Sequence, residues 1–305
     1  MDTVLLNELR SLILKHTAPD AKASQLIPNL LLGARSAPTV PCQIVVEPVF
    51  SLIAQGSKRV QLGQQTFDYH EGQYLVVSVD LPVDAHVFQA TPDLPYLGCG
   101  MTLRAEAIAS LLLQSTGPRP VAADRAGIAI NDLSSDLMDA VVRLLRLLDR
   151  PEDVPILAVA LEREILWRLM TGPQGSIVRQ IGLTDSRMSQ IGRAVRWLGS
   201  HFADSVRIED LAEIAGMSVT SLHRHFRIVT SLTPIQYQKQ LRLQAARTRL
   251  LAMKEDVSEV AFAVGYDSSS QFSREYRRMF GKPPGRDGAE LRANPLPAGA
   301  TSRVV

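Results

Sequence analysis

Between Ile208 and Gly285 the chain states one pattern twice: a short apolar helix, a glycine turn, then a polar helix with aromatic residues on its inner face. The first copy reads IEDLAEIAGMSVTSLHRHFRIVTSLTP and the second VSEVAFAVGYDSSSQFSREYRRMFGKPP. Gly216 and Gly265 mark the two turns. One copy alone is compatible with an ordinary helical hairpin. Two copies sharing a turn glycine, a capping serine, an inward aromatic and an outward arginine point instead to paired helix-turn-helix units, in which the second helix of each pair enters a major groove.

The spacing assigns faces. In the first unit the helix Glu209 to Ala215 ends at Gly216, Met217 packs beneath the turn, and Ser218 caps the next helix. Leu222 and Phe226 face inward, and Val219, Thr220, His223 and Arg224 face outward. Thr220, His223 and Arg224 form one row at i, i+3, i+4. Arg224 can grip a guanine edge with two hydrogen bonds, and His223 can donate to or accept from bases. In the second unit Val257 opens the first helix with Ser258 near its cap, and Ser268 caps the second. Phe272, Tyr276 and Phe280 point in; Ser269, Ser270, Ser273 and Arg274 point out. Arg277, Arg278 and Lys282 suit phosphates, which position a protein without reading sequence. A long helix from Pro234 through Leu250 would hold the units at a fixed separation, with Lys239, Arg242, Arg247 and Arg249 on its outside.

Charge supports this division. Residues 1–184 carry 15 basic and 19 acidic side chains, a net −4, and residues 185–292 carry 17 and 12, a net +5. A polyanion therefore meets the rear of the chain. The expected partner is double-stranded DNA.

The front is built differently. Leu5, Leu6, Leu9, Leu12 and Ile13 recur at helical spacing, which predicts an opening amphipathic helix. From Leu26 to Leu103 short β-rich runs follow (43–46, 49–53, 59–62, 73–77 and 85–89), punctuated by Gly56, Gly63, Gly72, Pro82 and Pro92. That rhythm predicts an antiparallel sandwich or barrel able to hold one small ligand. His70, Glu71 and His86 could be imagined as a metal set. They lack a His-x-His pair and lie beside a turn, so no metal and no cofactor is expected. Cys42 and Cys99 have no zinc-site spacing. They read as small core residues, the alternative being a redox or electrophile sensor.

Helical spacing returns over Ala105–Gln114, and 117–131 reads as a loop. Ser134 caps a strong amphipathic helix carrying Leu137, Met138, Val141, Val142, Leu144, Leu145, Leu147 and Leu148. A second helix runs from Pro155 to Met170 with Leu157, Leu161, Ile165, Leu166 and Leu169 on one face. One stripe packs within the chain, and the other is available for a two-fold dimer. A further helix, Ser186 to Phe202, carries Met188, Ile191, Val195 and Leu198 inward. The run Val4 to Leu14 is too short and too charged to span a bilayer, and Asp2, Glu8 and Arg10 interrupt any signal-peptide layout. A cytoplasmic protein is expected.

Ala212-x-x-Ala215-Gly216-Met217-Ser218 in the first unit resembles the AraC/XylS family of bacterial transcription regulators. So does the run from Val260 through Ala263-Val264-Gly265-Tyr266-Asp267-Ser268 to Phe272, Phe280 and Gly281-Lys282-Pro283-Pro284. The stretches Leu161 to Leu166 and Leu169 to Gly175 are similar to those leading into the DNA-binding domain in a subgroup of these regulators with a β-rich, cupin-like sensor. The resemblance implies an α+β chain: a sensor and dimerisation domain over 1–180, with linker helices at about 134–172, a double helix-turn-helix domain over 185–292, and a tail over 293–305. It implies a homodimer that binds a small-molecule effector, activates promoters and contacts RNA polymerase. Thr220, His223 and Arg224 would read one groove segment, and Ser269, Ser270, Ser273 and Arg274 the next. The rivals are a ligand-independent DNA binder and a cupin-like enzyme. The enzyme would need a metal triad or a nucleophile motif in the front of the chain, and the sequence has no G-x-S-x-G and no phosphate loop, and no His-x-His ahead of the helix-turn-helix units.

Overall fold

The structure, a computed structural model, describes residues 2–18, 26–115, 126–183, 186–252 and 256–293. Helix α1 (Thr3–His16) starts on Asp2, whose carboxylate accepts from the amides of Val4 and Leu5. Its Leu6, Leu9, Leu12 and Ile13 are buried, as the spacing predicts. Nine strands follow among the described residues: β1 (Leu30–Arg35), β2 (Cys42–Val46), β3 (Val49–Gln55), β4 (Ser57–Leu62), β5 (Gln65–His70), β6 (Gln73–Val77), β7 (Leu81–Gln89), β8 (Tyr96–Thr102) and, after helix α2 (Ala105–Gln114), β9 (Ile128–Asp132).

They form two antiparallel sheets, one in the order β1-β8-β3-β6-β9 and the other β2-β7-β4-β5. The antiparallel β domain is therefore a two-sheet, jelly-roll-like sandwich and not a closed barrel. Strand alternation gives the five-stranded sheet two apolar faces. Phe50, Leu52, Val76, Leu97 and Met101 pack outward under helices. Val49, Ile53, Leu75 and Tyr96 face the second sheet. The span 117–131 is not all loop. Within it Ile128 begins β9, which pairs with the edge of β6 from Val77↔Ile128 to Gln73↔Asp132; residues 117–125 lie outside the described residues.

Helices α3 (Ser135–Arg146) and α4 (Val154–Thr171) cover the outer face together with α1. Ser134 caps α3 as expected, accepting from the Leu137 amide. The whole α3 stripe is buried. The α4 stripe is split: Ile165, Leu166 and Leu169 are buried and Leu161 half-buried, but Leu157 is exposed, as are Ile156 (75%) and Val159 (60%) beside it. A short helix, α5 (Gly175–Ile181), leads to α6 (Arg187–Ser200), capped by Ser186. The paired units follow as α7 (Ile208–Ala215) and α8 (Val219–Thr230), the connecting helix α9 (Pro234–Ala252), then α10 (Val257–Ala263) and α11 (Ser269–Phe280), with α12 (Pro284–Ala293) closing the set. Past Ala293 the expected tail lies outside the described residues. No helix among the described residues is long and apolar enough to cross a membrane.

The two halves are not separated by an empty seam. One core cluster runs from the sandwich interior (Ile53, Val60, Tyr69, Val87) through Val79, Leu81 and Ile128 into Met188, Ile191, Leu222, Phe226 and Leu241. Hydrogen bonds cross the same boundary: the Gly127 amide donates to Val229 O at 2.9 Å, and the Tyr237 hydroxyl to Asp80 O at 2.9 Å. A separate cluster holds Leu243, Ala246, Leu250, Val260, Phe272 and Tyr276.

Candidate nucleic-acid interface

Both turns are built on a left-handed residue that only glycine adopts without strain. Gly216 has φ +68°, and its amide bonds the carbonyls of Ala212 and Glu213. Gly265 has φ +88°, and a Cβ there would stand 2.1 Å from Ala203 O. Each turn is also held from outside by an arginine. On α6, Arg193 donates to Ile214 O at 3.3 Å and Ala215 O at 2.9 Å, and Gln190 donates to Gly216 O at 3.1 Å. On α9, Arg242 donates to Gly265 O and Phe202 O, both at 2.6 Å, to Asp204 O at 2.9 Å and to Ala203 O at 3.3 Å. These bonds satisfy carbonyls that a helix end leaves open. Burial pushes the Arg242 guanidinium below its usual range, although it stays charged.

Arg242 and Arg247 therefore do not lie on the outside of α9, as periodicity suggested. Arg247 bonds Asp287 at 2.9 and 3.3 Å, and Asp287 also accepts from the Tyr276 hydroxyl at 2.8 Å. Asp287 is 4% exposed, so this network ties α12 to the second unit. Lys239 bonds Glu275 at 2.7 Å, while Arg249 is exposed as expected. Burial opposes ionisation of Glu275, and hydrogen bonds from Lys239, Gln271 and Tyr266 outweigh it, holding the carboxyl below its usual range. Lys282, expected on phosphates, is paired with Glu290 within the chain.

The caps of the second helices fall where sequence placed them: Ser218 accepts from the Ser221 amide and Ser268 from the Gln271 amide. The cap of α10 is Asp256, with Ser258 close by as expected. The Asp256 carboxylate accepts from the Ser258 amide, and Glu259 closes a capping box. In α8, Leu222 and Phe226 are fully buried, and Val219, Thr220, His223 and Arg224 are exposed. In α11, Phe272 and Tyr276 are buried; Ser270, Arg274, Arg277 and Arg278 are exposed, and Ser269 and Ser273 half-buried.

Two residues escaped the sequence reading. Arg227, one turn beyond His223, is exposed on α8. His225 is 2% exposed, and its Nε2 lies 3.0 Å from Arg224 Nη2. A guanidinium only donates, so Nε2 accepts and the imidazole proton sits on Nδ1. This bond ties down one terminal nitrogen of the Arg224 fork. An i, i+1 pair is invisible to helical periodicity because neighbouring residues point apart.

Burial pushes the Cys99 thiol up to about 12, and burial also raises Cys42. Both are held as thiols, which disfavours the sensor alternative. Of the imagined metal residues, two have other partners: His70 Nδ1 lies 2.8 Å from Ser57 Oγ, and Glu71 pairs with Arg10 at 2.5 Å, while His86 Nδ1 is buried.

Comparison with known proteins adds the lineage. A family described as the AraC-type transcriptional regulator N-terminus matches residues 26–177, and a helix-turn-helix domain family matches 211–287. The HTH-type transcriptional activator RhaS of Escherichia fergusonii is 34% identical over 140 residues, covering 44% of this chain and 49% of that protein. RhaS of an Enterobacter species is 35% identical over 121 residues, 38% of this chain and 42% of that protein. The chain thus spans about half the length of the curated relatives it matches. Among solved structures, ToxT of Vibrio cholerae with an unsaturated fatty acid bound superposes with a TM-score of 0.56 at 10% identity, covering 85% of this chain and 95% of ToxT. A ligand-free ToxT variant from the same organism gives 0.54 at 11% identity over 86% of this chain and 98% of ToxT. At such identities these two establish the fold. The chain belongs to the AraC/XylS family of transcriptional regulators, with an AraC-type N-terminal domain ahead of its helix-turn-helix pair.

Proposed function

We propose that this chain is a sequence-specific DNA-binding regulator of transcription whose output answers to a small molecule held by the β domain. The observation that carries the reading is the pair of capped helices, α8 and α11, exposed on one side and anchored to the single helix α9. In successive major grooves on one DNA face such helices stand about 34 Å apart. Thr220, His223 and Arg224, with Val219 beside them, contact one segment. Ser269, Ser270, Ser273 and Arg274 meet the next, and Arg277 and Arg278 lie on phosphates. A serine-rich second reader gains its specificity from DNA shape and backbone contacts.

The domain division at about residue 180, the homodimer and the RNA polymerase contact belong to this proposal. Activation is the role carried in the names of the RhaS relatives. For the dimer, support comes from α4, where Ile156 and Val159 are exposed beside half-open Leu157. The reading places the protein in the cytoplasm and gives it no catalytic role.

Selection of binding sites from random DNA tests the reading, with Arg224→Ala and Arg277→Ala as the diagnostic pair. Arg224→Ala should relax base choice at one position and weaken binding there by about 1–3 kcal/mol. Arg277→Ala should weaken all sequences alike and lower the salt dependence. An unchanged sequence preference in Arg224→Ala would remove the first reader.

A further inference from the structure

A cavity of about 610 Å³ lies under α9, at the seam between the β domain and the helices. It touches four consecutive residues of β2, Cys42 to Val45, whose side chains alternate between the faces of the strand. It therefore follows the outer edge of β2, the end strand of its sheet, and does not lie in the space between the sheets. Tyr237, Leu241, Gln244 and Thr248 of α9 stand opposite, one stripe at i, i+4, i+7 and i+11. A cleft of this size at a domain boundary, mostly apolar with few polar groups, is the usual form of a small-molecule site.

Its polar groups stand at the two ends. Asp80, between β6 and β7, adjoins Leu81, which pairs with Val46, whereas Gln43 pairs with Asp84. Gln43 is thus four residues, about 13 Å, further along the sheet than Asp80. The Tyr237 hydroxyl donates to Asp80 O at 2.9 Å, and Gln244 follows Tyr237 by about 10 Å of helix. The walls between the ends are apolar, with Ile44 on β2 and Leu241 on α9 beside Val195 and Phe202. No hydrogen bond or ion pair holds the Asp80 carboxylate among the described residues. Burial and nearby Glu47 push that carboxyl above its usual range, and Arg196 only partly offsets them. Among the described residues Asp80 is the one acid in the lining, and the one cation, Arg247, is committed to Asp287. At the far end the side-chain oxygens of Gln43 and Gln244 are buried without a hydrogen-bond partner. An unpaired buried carboxylate and orphaned acceptors each cost stability. A cation that also donates hydrogen bonds answers both, whereas an anion is repelled by Asp80.

We propose that this cleft binds an elongated organic amine, its ammonium on Asp80, its apolar body along Ile44 and Leu241, and a second hydrogen-bond donor at the Gln43 and Gln244 end. The site is placed to act on the first unit. Asp80 also lines a neighbouring cavity of about 450 Å³ with Arg193 and Arg196 of α6. Arg193 is the residue that holds the carbonyls of Ile214 and Ala215 at the first turn. An ammonium on Asp80 removes the charge that attracts Arg196, and so changes the field on the helix that holds that turn. This consequence for DNA rests on the regulatory reading above; the binding of the amine does not.

The full chain is titrated by calorimetry with 6-aminohexan-1-ol, 8-aminooctan-1-ol and octylamine, and with octane-1,8-diol and sodium 8-hydroxyoctanoate as neutral and anionic counterparts. At least one amino alcohol should bind saturably, about tenfold or more tighter than the diol, with the carboxylate weakest. Asp80→Asn should abolish the preference for the amine while leaving Tm unchanged or higher, because it removes an unpaired buried charge and keeps the carbonyl that Tyr237 uses. Gln244→Leu should remove the advantage of the amino alcohol over octylamine and leave octylamine bound. Saturating amine should shift affinity for the selected DNA by about fivefold or more. No saturable binding by any of the three amines, equal binding of amine and diol, or an undiminished preference in Asp80→Asn overturns the proposal. An undiminished advantage of the amino alcohol in Gln244→Leu overturns the far-end placement, and binding with no shift in DNA affinity overturns the link to the first unit. DNA selectivity of the ligand-free preparation is measured separately. If it persists while the amines fail to bind, only this inference falls; if it is absent while an amine binds, the regulatory reading falls and the site stands.

Discussion

The two helix-turn-helix units share a plan but not a core. The first packs Leu222 and Phe226 into a cluster continuous with the sandwich interior. The second packs Phe272 and Tyr276 into a cluster of its own, closed by α12 through Asp287. Helix α9 belongs to both, giving Tyr237 and Leu241 to one and Leu243, Ala246 and Leu250 to the other. Closely packed cores transmit strain, so a change in the β domain reaches the first unit directly. It reaches the second through α9 and through Phe202, which packs against both clusters. The difference teaches that duplicated readers need not be duplicated receivers: one is coupled to the sensor and the other is a stable foothold.

The largest test is a pair of core truncations. Phe226→Ala and Phe272→Ala should each destabilise by about 3–5 kcal/mol, from lost burial and the cavity left behind. Hydrogen exchange should show faster opening of the β domain in Phe226→Ala only. If Phe272→Ala loosened the β strands equally, the two-core comparison would fail. Next come the turn glycines. Gly265→Ala combines a positive φ with a Cβ 2.1 Å from Ala203 O, and should cost about 3 kcal/mol or more in urea denaturation. Gly216→Ala meets Arg193 Nη2 at 3.2 Å and Gln190 Nε2 at 3.8 Å, the ends of flexible side chains, and should cost about 1 kcal/mol.

Dependence on pH separates the β domain from the second unit. Burial takes the Lys58 ammonium from 10.5 unfolded to about 7 folded, so the unfolded chain binds more protons between those values. Stability of the ligand-free protein should rise from pH 7 towards 10.5 and be flat below 7, a slope of at most about 1.4 kcal/mol per unit that Lys58→Met removes. Glu275 has the opposite sense. Its folded value lies below 4.5, so its contribution is present above pH 4.5 and lost as pH falls through the folded value. Exchange in α11 should therefore quicken in acid, and Glu275→Gln should blunt that response.

Much of the rear domain was legible because its signals are local. Caps at Ser186, Ser218 and Ser268, the glycine turns and the inward residues Leu222, Phe226, Phe272 and Tyr276 follow from helical geometry and short-range hydrogen bonding. The β domain was legible only where its strands are rich in β-branched residues. Strand β8, YLGCGMT, was missed because two glycines erase its alternation, and β9 because it is a short edge strand after a polar stretch.

Sequence by itself determined the helical faces, the two turns and the rows of residues that reach outward, since a periodicity of 3.6 and a left-handed glycine are properties of a few neighbouring residues. Tertiary structure alone decided which charges are spent inside the protein. Arg193, Arg242 and Arg247 look like surface cations by spacing, yet each is committed to the backbone or to a buried carboxylate brought close by folding. It alone also decided that Lys58 is enclosed with no carboxylate beside it among the described residues. Pairing of charges is set by distance in space, and residues far apart in the chain meet only when the sheets and helices have packed.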